Sequence, residues 1–163
     1  MYFIDQRIQV ICNQLSMFRF KNHVELTHWQ YKFGQYFRPE EADAAERSWE
    51  DFDCHTMRWY SNYVGTDKFE GAFEGQVTDF KGILGSHYWF RTNVTIPENL
   101  DGKSVWMKLH TGLEEWDDGK NPQFLIFING EVVQGADINH REVLLFEKAV
   151  AGTSFTVDVQ AYT

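Results

Sequence analysis

The sequence is short of cysteines, of long apolar runs and of basic residues, and each shortage excludes a class of protein. Its two cysteines, Cys12 and Cys54, do not form a metal or redox motif, and we interpret them as reduced thiols. No apolar stretch approaches the roughly 20 residues that a membrane span requires, so we expect no membrane partner. Because 24 acidic residues outweigh 15 basic ones and the net charge is −9, we expect no nucleic-acid partner either.

Signals for export are also missing. The first residues, Met1 to Arg7, contain neither a basic leader nor an apolar run long enough for a signal peptide. We therefore expect a cytoplasmic protein. Asn93-Val94-Thr95 matches the glycosylation pattern, and without an export signal we interpret that match as accidental.

Aromatic and apolar side chains are abundant. Hydrophobic residues make up 43% of the chain and aromatic residues 17%, with six Trp, seven Tyr and fourteen Phe. Such a composition excludes intrinsic disorder, which requires low hydrophobicity. The 163 residues fit a single domain, and a domain of that size can bury about 70% of its unfolded surface.

Two segments are predicted to be helical. The first runs from about residue 5 to 18 and begins with Asp5 as a candidate N-cap. The second is short, from about residue 39 to 47, because Pro39 suits a first turn and acids follow it. We interpret the charged run from Glu40 to Asp53 as a solvated face. The apolar residues of the first helix recur at helical spacing: Ile4, Ile8, Ile11, Cys12, Leu15 and Phe18.

Most of the remaining chain shows β signals. Side chains alternate between apolar and polar from Tyr88 to Ile96, from Ser104 to His110, and again from Phe155 to Ala161. The region from Met57 to Leu84 is rich in glycine and aromatics, which is typical of short strands and irregular loops. Several short strands separated by turns predict a mainly β, jelly-roll-like antiparallel β-sandwich from about residue 57 to 163.

The strongest strand signal is the apolar run Phe124–Ile128, which enters the pair Asn129-Gly130. Asn-Gly between two apolar runs predicts a two-residue hairpin, because both central residues of a type I′ turn need positive φ. The run does not alternate, so we expect it to be covered on both faces and to lie at the centre of a sheet. Any site formed here should lie in the polar loop from Gly135 to Arg141.

Four phrases follow one another along the second half of the chain. They are Tyr88-Trp89-Phe90-Arg91, Ile96-Pro97, Phe127-Ile128-Asn129-Gly130-Glu131 and Gln134-Gly135-x-Asp137-x-Asn139-His140-Arg141-Glu142-Val143. In wording and order they resemble the N-terminal domain of bacterial glycoside hydrolase family 38 α-mannosidases, most clearly from about Trp89 to Tyr162. The resemblance implies a short helix and a jelly-roll-like sandwich placed before a catalytic domain. More loosely, the segment is similar to the galactose-binding-like sandwiches of many glycoside hydrolases.

The resemblance implies a parent enzyme whose chemistry lies outside this chain. Family 38 enzymes are zinc-dependent retaining α-mannosidases with a His-x-Asp pair early in the catalytic domain. None of the six histidines here begins a His-x-Asp. We therefore expect this chain alone to be non-catalytic and to hold no cofactor, with zinc in the catalytic domain. That catalytic domain is the expected partner.

The polar loop after the hairpin contains the first group of candidate site residues. Asp137, Asn139, His140 and Arg141 are candidates for contact with the catalytic domain, or for holding a sugar or an ion. The alternative, which we favour, is that Asp137 and Asn139 cap backbone groups while His140 pairs with a neighbour. Two ligands three residues apart fall short of a closed metal site, so no metal is assigned.

The second candidate is Trp116, which stands in an acidic loop. Its ring and the adjacent carboxylates can form a sugar-stacking platform, so the alternative function is a carbohydrate-binding module that docks mannose-type glycans. The simpler interpretation is that the ring folds back on the sandwich. Calcium is a further alternative, although the spacing lacks an EF-hand pattern. The acidic neighbours are Glu114, Glu115, Asp117 and Asp118.

Trp89 and Arg91 share the strand face opposite Phe90. They either line a groove or lie beneath the N-terminal helix. We favour the second arrangement, because a helix with one apolar stripe needs a partner. Sequence alone shows no carboxylate pair at the separation that glycosidases require. An autonomous enzyme is therefore the least favoured hypothesis.

Overall fold

The computed structural model describes residues 2–19, 22–53, 59–60, 72–73, 87–109, 123–137 and 139–162. Its helices are α1 (Tyr2–Arg19) and α2 (Pro39–Ala44), with a 3-10 turn at Glu98–Leu100. Its strands are β1 (His28–Phe33), β2 (Glu50–Asp53), β3 (Trp59–Tyr60), β4 (Ala72–Phe73), β5 (His87–Thr95), β6 (Val105–Lys108), β7 (Gln123–Ile128), β8 (Glu131–Ala136), β9 (Glu142–Phe146) and β10 (Ser154–Tyr162). The protein is mainly β, as the sequence predicts.

Six of these strands form one antiparallel sheet in the order β2-β1-β5-β10-β7-β8. Strands β6 and β9 form a second, two-stranded sheet, and β3 pairs with β4. Strands β5 and β10 form the longest ladder, from Ser154 opposite Thr95 to Tyr162 opposite His87. The centre of the large sheet is therefore the β5–β10 pair, and β7 lies one strand further out than expected.

The main core lies between the large sheet and the β6–β9 pair. Ile126, Val157 and Val159 are fully buried on the inner face of the large sheet. They cluster with Met107 of β6 and Val143 of β9. Two antiparallel layers that enclose an apolar core make a β-sandwich. The apolar residues predicted to alternate along β5, β6 and β10 therefore lie on the strand faces that form this core.

The predicted hairpin is present. Asn129 and Gly130 have φ values of 50° and 84°, and Ile128 pairs with Glu131 across the two-residue turn. The side chain of Glu40 lies beside this turn, since a Cβ on Gly130 would stand 2.8 Å from Glu40 Oε1. The hairpin and α2 are thus close neighbours. The strand before the turn is covered on both faces, since the successive residues Ile126 and Phe127 are 0% and 4% exposed.

Three boundaries differ from the sequence prediction. Helix α1 begins at Tyr2, so Asp5 lies in its first turn instead of capping it. Helix α2 ends at Ala44, because Ala45 already has extended backbone angles. Strands β1 and β2 belong to the large sheet although they precede residue 57. Most of the region from Met57 to Leu84 lies outside the described residues.

No helix in the part of the chain that the structure describes is both long and apolar enough to cross a membrane.

Candidate functional site: a charged cluster beneath the second helix

The outer face of the large sheet is covered by α2 and the residues that flank it. Ala42 of α2 is completely buried, and it packs against Trp89 of β5 and Phe127 of β7. The prediction that α1 lies above Trp89 and Arg91 is wrong, because α2 occupies this position. The short connection from β1 keeps α2 beside the sheet, and the small side chain of Ala42 lets the helix approach it closely.

Arg91 is the centre of a cluster of polar and aromatic side chains beneath α2. Its Nε donates to Asp158 Oδ1 at 2.5 Å, and its Nη1 donates to Asp43 Oδ1 at 2.5 Å. Its guanidinium carbon lies 4.4 Å from the centre of the Trp49 ring. One guanidinium therefore connects β5, β10, α2 and the segment before β2. We call Lys32, Asp43, Trp49, Arg91 and Asp158 the Arg91 cluster.

Lys32 of β1 binds the end of α2. Its Nζ donates to the carbonyl oxygen of Ala42 and, at 3.3 Å, to that of Ala45. Helix ends leave carbonyl groups without partners inside the helix, so this ammonium group stabilises the C-terminus of α2. The side chain is only 1% exposed, and burial lowers the pKa of Lys32. The Nζ also lies 5.6 Å from the centre of the Trp49 ring.

The two aspartates of the cluster have opposite pKa shifts. Burial raises the pKa of Asp158, which outweighs the lowering effect of the Arg91 hydrogen bond. Partial burial alone would also raise the pKa of Asp43. Hydrogen bonds from Arg91 and Trp49 outweigh that effect, so the pKa of Asp43 lies below its usual value. Trp49 Nε1 donates to Asp43 Oδ1 at 2.9 Å.

Two carboxylates with separated pKa values are a feature of glycosidase sites. In the Arg91 cluster, however, Asp158 is 1% exposed and therefore closed to a substrate. Arg91 binds both carboxylates at once, and α2 covers the face. The arrangement therefore holds α2 on the sheet and does not serve as a catalytic acid and base.

The loop after β8 forms a tight turn around one carboxylate. Asp137 Oδ1 accepts hydrogen bonds from the backbone N–H groups of Asn139 at 2.8 Å and His140 at 2.7 Å. It also lies 3.1 Å from Nδ1 of His140. The backbone hydrogen bond from His140, supported by the other contacts, lowers the pKa of Asp137. This is the geometry of an Asx turn, and the carboxylate is satisfied within its own loop.

The other residues of this loop lie at its surface or connect it to the second sheet. The side chain of His140 is 75% exposed. The backbone carbonyl of Arg141 accepts a hydrogen bond from Leu109 N at 2.9 Å, which ties the loop to the end of β6. Contact between this loop and a second domain stays a prediction.

Trp116 and its acidic neighbours lie outside the described residues, so the sugar-stacking platform also stays a prediction. Within the described ranges, no group of three or more His, Cys, Asp or Glu side chains comes together to hold a metal ion.

Sequence reasoning missed most of the Arg91 cluster. Lys32 and Asp158 are on the polar faces of their strands, where a charged residue is normally solvated. One signal was available, since Asp158 and Arg91 are directly opposite each other on β10 and β5 and opposite charges pair across strands. That signal requires the strand register, which the sequence does not provide.

Comparison with known proteins gives two structural similarities. The β-glucuronidase of Faecalibacterium prausnitzii matches with a TM-score of 0.48 and 14% identity, over 87% of this chain and 22% of that one. A β-glucuronidase from Ruminococcus gnavus, in complex with uronic isofagomine, matches with a TM-score of 0.43 and 14% identity, over 88% of this chain and 23% of that one. No family model and no curated protein matches the sequence. This chain spans less than a quarter of either enzyme, and similarity at this level assigns neither a family nor an activity.

Proposed function

We propose that this chain is a non-catalytic accessory domain of a larger glycoside hydrolase, a zinc-dependent α-mannosidase similar to family 38. Its role is to pack on the catalytic domain and support it. Two features support this proposal. The ordered phrases from Trp89 to Val143 resemble the N-terminal domain of that family. The Arg91 cluster, whose two carboxylates most resemble a catalytic pair, lies beneath α2 with Asp158 buried.

The observation that carries the proposal is the exposed edge strand β8. It is the last strand of the large sheet and pairs with no described strand on its outer side along Glu131–Val133. Val132 and Val133 are 58% and 46% exposed. The register with β7 shifts here, so Val133 is the extra residue of a β-bulge beside Val132. A bulge discourages pairing with another strand, so the two exposed valines are suited to packing against the surface of another domain.

The opposite edge of the same sheet is protected. Strand β2 carries the acidic residues Glu50 and Asp51. Glu50 accepts hydrogen bonds from Tyr31 Oη at 2.6 Å and Arg47 Nη2 at 3.1 Å. Charged residues on an edge strand discourage pairing. Of the two edges, β8 has fewer acidic residues and more exposed apolar surface, and it leads directly into the loop at Asp137, which is a candidate for contact with the catalytic domain.

Reading the gene beyond the codon for Thr163 tests the proposal most directly. We expect a catalytic domain that begins with a His-x-Asp pair, and a gene that lacks one refutes the assignment. The full-length enzyme should hydrolyse terminal α-mannosides and should lose that activity when a chelator removes zinc. Residues 1–163 alone should show no turnover, and zinc-dependent release of mannose by this chain contradicts a non-catalytic role.

Hydrogen exchange tests the docking surface. We expect the backbone amides of β8 to exchange more slowly in the full-length enzyme than in this chain alone, because the catalytic domain covers them. Val133→Asp in the full-length enzyme should remove that protection. Val150→Asp is the matched control, since Val150 is also well exposed, at 63%, but lies away from β8. Equal exchange of β8 in both proteins contradicts docking through this edge.

The alternative, a carbohydrate-binding module for mannose-type glycans, rests on Trp116. We test it by titrating mannose and short mannosides into the protein while recording tryptophan fluorescence. A saturable change that Trp116→Ala abolishes supports sugar binding. A flat titration at millimolar sugar contradicts it.

A further inference from the structure

The turn between β7 and β8 contains a chemically reactive pair of residues. Of the eight asparagines in the sequence, only Asn129 is followed by glycine. An asparagine loses its side-chain amide when the backbone nitrogen of the next residue attacks its Cγ. Glycine hinders that attack least, because it has no side chain. Asn129 is therefore the asparagine of this chain that is chemically most prone to deamidation.

The reaction has two steps and needs only water. In the first step a bond forms between Gly130 N and Asn129 Cγ while the bond between Cγ and Nδ2 breaks. Ammonia leaves with the proton of Gly130 N, and a cyclic imide remains. In the second step water opens the imide at one of its two carbonyl groups. The product is aspartate or, where the main chain now runs through the side-chain carbonyl, isoaspartate.

The backbone of the folded turn opposes the first step. Asn129 and Gly130 both have positive φ, at 50° and 84°, as in a type I′ turn. In a turn of this type ψ of the first central residue is about 30°. That value places Gly130 N nearly opposite Asn129 Cβ across the Cα–C bond. Ring closure requires the two atoms on the same side, so the turn has to open before the reaction proceeds.

Contacts with β10 keep the turn closed. Asn129 N donates to the carbonyl oxygen of Thr156 at 2.9 Å, and Thr156 N donates to Asn129 Oδ1 at 3.0 Å. Thr156 Oγ1 in turn donates to Asn93 Oδ1 of β5 at 2.8 Å. Both the backbone and the side chain of Asn129 are therefore bound to one residue of the neighbouring strand, and that residue is itself bound to the next strand.

We propose that Asn129 is a deamidation site protected by the fold, which is modified only when the tip of the β7–β8 hairpin opens away from β10. The extent of modification then records how often this part of the sheet opens, because the closed turn does not react. The inference is independent of the proposed function.

The products fit the turn less well than asparagine does. Isoaspartate lengthens the main chain by one carbon, which is incompatible with a two-residue turn that pairs Ile128 with Glu131. Either product also places a new carboxylate next to Gly130, where a Cβ would stand 2.8 Å from Glu40 Oε1. Like charges at such close range repel. Deamidation therefore weakens the turn that protected the asparagine.

Peptide mapping by mass spectrometry tests the protection. The purified chain is incubated at mildly alkaline pH, once in buffer and once in a concentration of urea that unfolds it. We expect Asn129 to deamidate at least about tenfold more slowly in the folded chain, since only its open form reacts. Equal rates overturn the proposal. So does an Asn129 that stays intact in the unfolded chain.

A pair of core variants tests whether the opening is local. Ile128 and Leu100 are both partly buried against the main core, but only Ile128 adjoins the turn. Ile128→Ala should accelerate deamidation of the folded chain by about tenfold, because it loosens the hairpin tip. Leu100→Ala is the matched control and should stay within about twofold. Ile128→Val is less disruptive to folding, and it should give an intermediate rate.

Circular dichroism checks that each variant is folded. A similar acceleration in Ile128→Ala and Leu100→Ala shows that the reaction proceeds through global unfolding, and it contradicts the proposal. No acceleration in any of the three variants contradicts it as well.

Hydrogen exchange of the product tests the effect on the turn. The modified chain carries one more negative charge, so anion exchange separates it from the unmodified chain. We expect the amides of Thr156 and of β8 to exchange faster in the isoaspartyl chain than in the unmodified one, because the turn no longer closes. Identical exchange in the two chains contradicts the weakening of the turn and overturns this part of the proposal.

Discussion

The longer of the two helices is mostly exposed, and the shorter one is packed against the sheet. Helix α1 has 18 residues and a complete apolar stripe, yet that stripe is more than half exposed. Helix α2 has six residues and no side-chain hydrogen bond at its N-cap, yet Ala42 is completely buried and Lys32 and Arg91 bind the helix from the sheet. Length therefore does not show which helix is part of the fold.

The difference lies in where each helix obtains its stability. A helix of six residues does not form alone, because nucleation costs more than so few hydrogen bonds return. The sheet supplies what α2 lacks, namely an ammonium group at its C-terminus and a guanidinium group for Asp43. Helix α1 obtains no comparable support from the described part of the domain, and its stripe faces solvent. The sheet therefore holds the shorter helix in place, and it does not hold the longer one.

The largest effect should come from removing the centre of the Arg91 cluster. Arg91→Leu leaves Asp158 buried without its cation, so we expect a loss of about 3 kcal/mol in the free energy of unfolding at neutral pH. Burial already raises the pKa of Asp158. Without the lowering effect of Arg91, the pKa of Asp158 should rise further in the variant. The loss should therefore be full above this higher pKa and should shrink as the pH falls through it, where the carboxyl group becomes protonated. Urea unfolding at several pH values measures both.

A double variant provides the control for this prediction. Arg91→Leu with Asp158→Leu replaces a buried ion pair by apolar groups, which is often nearly neutral. We expect it to recover most of the lost stability. If the double variant is as unstable as Arg91→Leu, then packing around Arg91 matters more than its charge.

A smaller effect should come from enlarging the buried face of α2. Ala42→Leu forces extra methylene groups against Trp89 and Phe127, and we expect a loss of about 1 to 3 kcal/mol in unfolding free energy. Ala44→Leu is the control, because Ala44 is on the same helix but exposed, and its effect should stay within about 0.5 kcal/mol. Equal effects would mean that α2 is not held against the sheet in solution.

Asp43→Asn should cost less, because the aspartate is half exposed and solvent screens its ion pair. We expect a loss of about 0.5 to 1 kcal/mol at neutral pH. The pKa of Asp43 in the folded protein lies below its ordinary value of 3.8. Its contribution is therefore present above that ordinary value and disappears as the pH falls through the lower, folded-state pKa. Unfolding curves of the two proteins should differ at pH 7 and converge in strong acid.

The smallest effect should come from the longest helix. Ile8→Gln removes an apolar side chain from α1 at a position that is 53% exposed. Because that side chain already faces solvent, we expect the free energy of unfolding to change by no more than about 0.5 kcal/mol. A loss as large as that of Ala42→Leu would show that α1 packs on the sandwich, which contradicts the contrast between the two helices.

The sequence predicts the sandwich well because strand periodicity is a local signal. The apolar faces of β5 and β10, and the turn at Asn129-Gly130, follow from residues close together in the chain. The order of the strands in the sheet does not follow from local signals. For example, Gln30 of β1 lies opposite Arg91 of β5. This pairing depends on contacts between distant segments, and no local pattern encodes it.

The candidate site also depends on contacts between distant segments, which the sequence does not reveal. The sequence places Asp43 in a solvated charged run, because Glu40, Glu41 and Glu46 lie close to it in the chain. Its role depends on a cation from β5, 48 residues away. The turn around Asp137 was within reach of sequence reasoning, because the groups that it binds are only two and three residues ahead. Hydrogen bonds between residues that are close in the chain are predictable from sequence, and contacts between distant segments are not.

The position of β10 has a consequence for how the protein is made. β10 lies between β5 and β7, where Thr156 binds Asn93, 63 residues earlier, and Gln160 binds the carbonyl of Tyr36, 124 residues earlier. Until β10 leaves the ribosome, the strands on the β5 side and the β7–β8 hairpin are separate pieces with open edges. Closure of the sheet then requires pairing over long sequence separations, which slows folding. This part of the nascent chain is therefore most exposed to aggregation just before β10 is released.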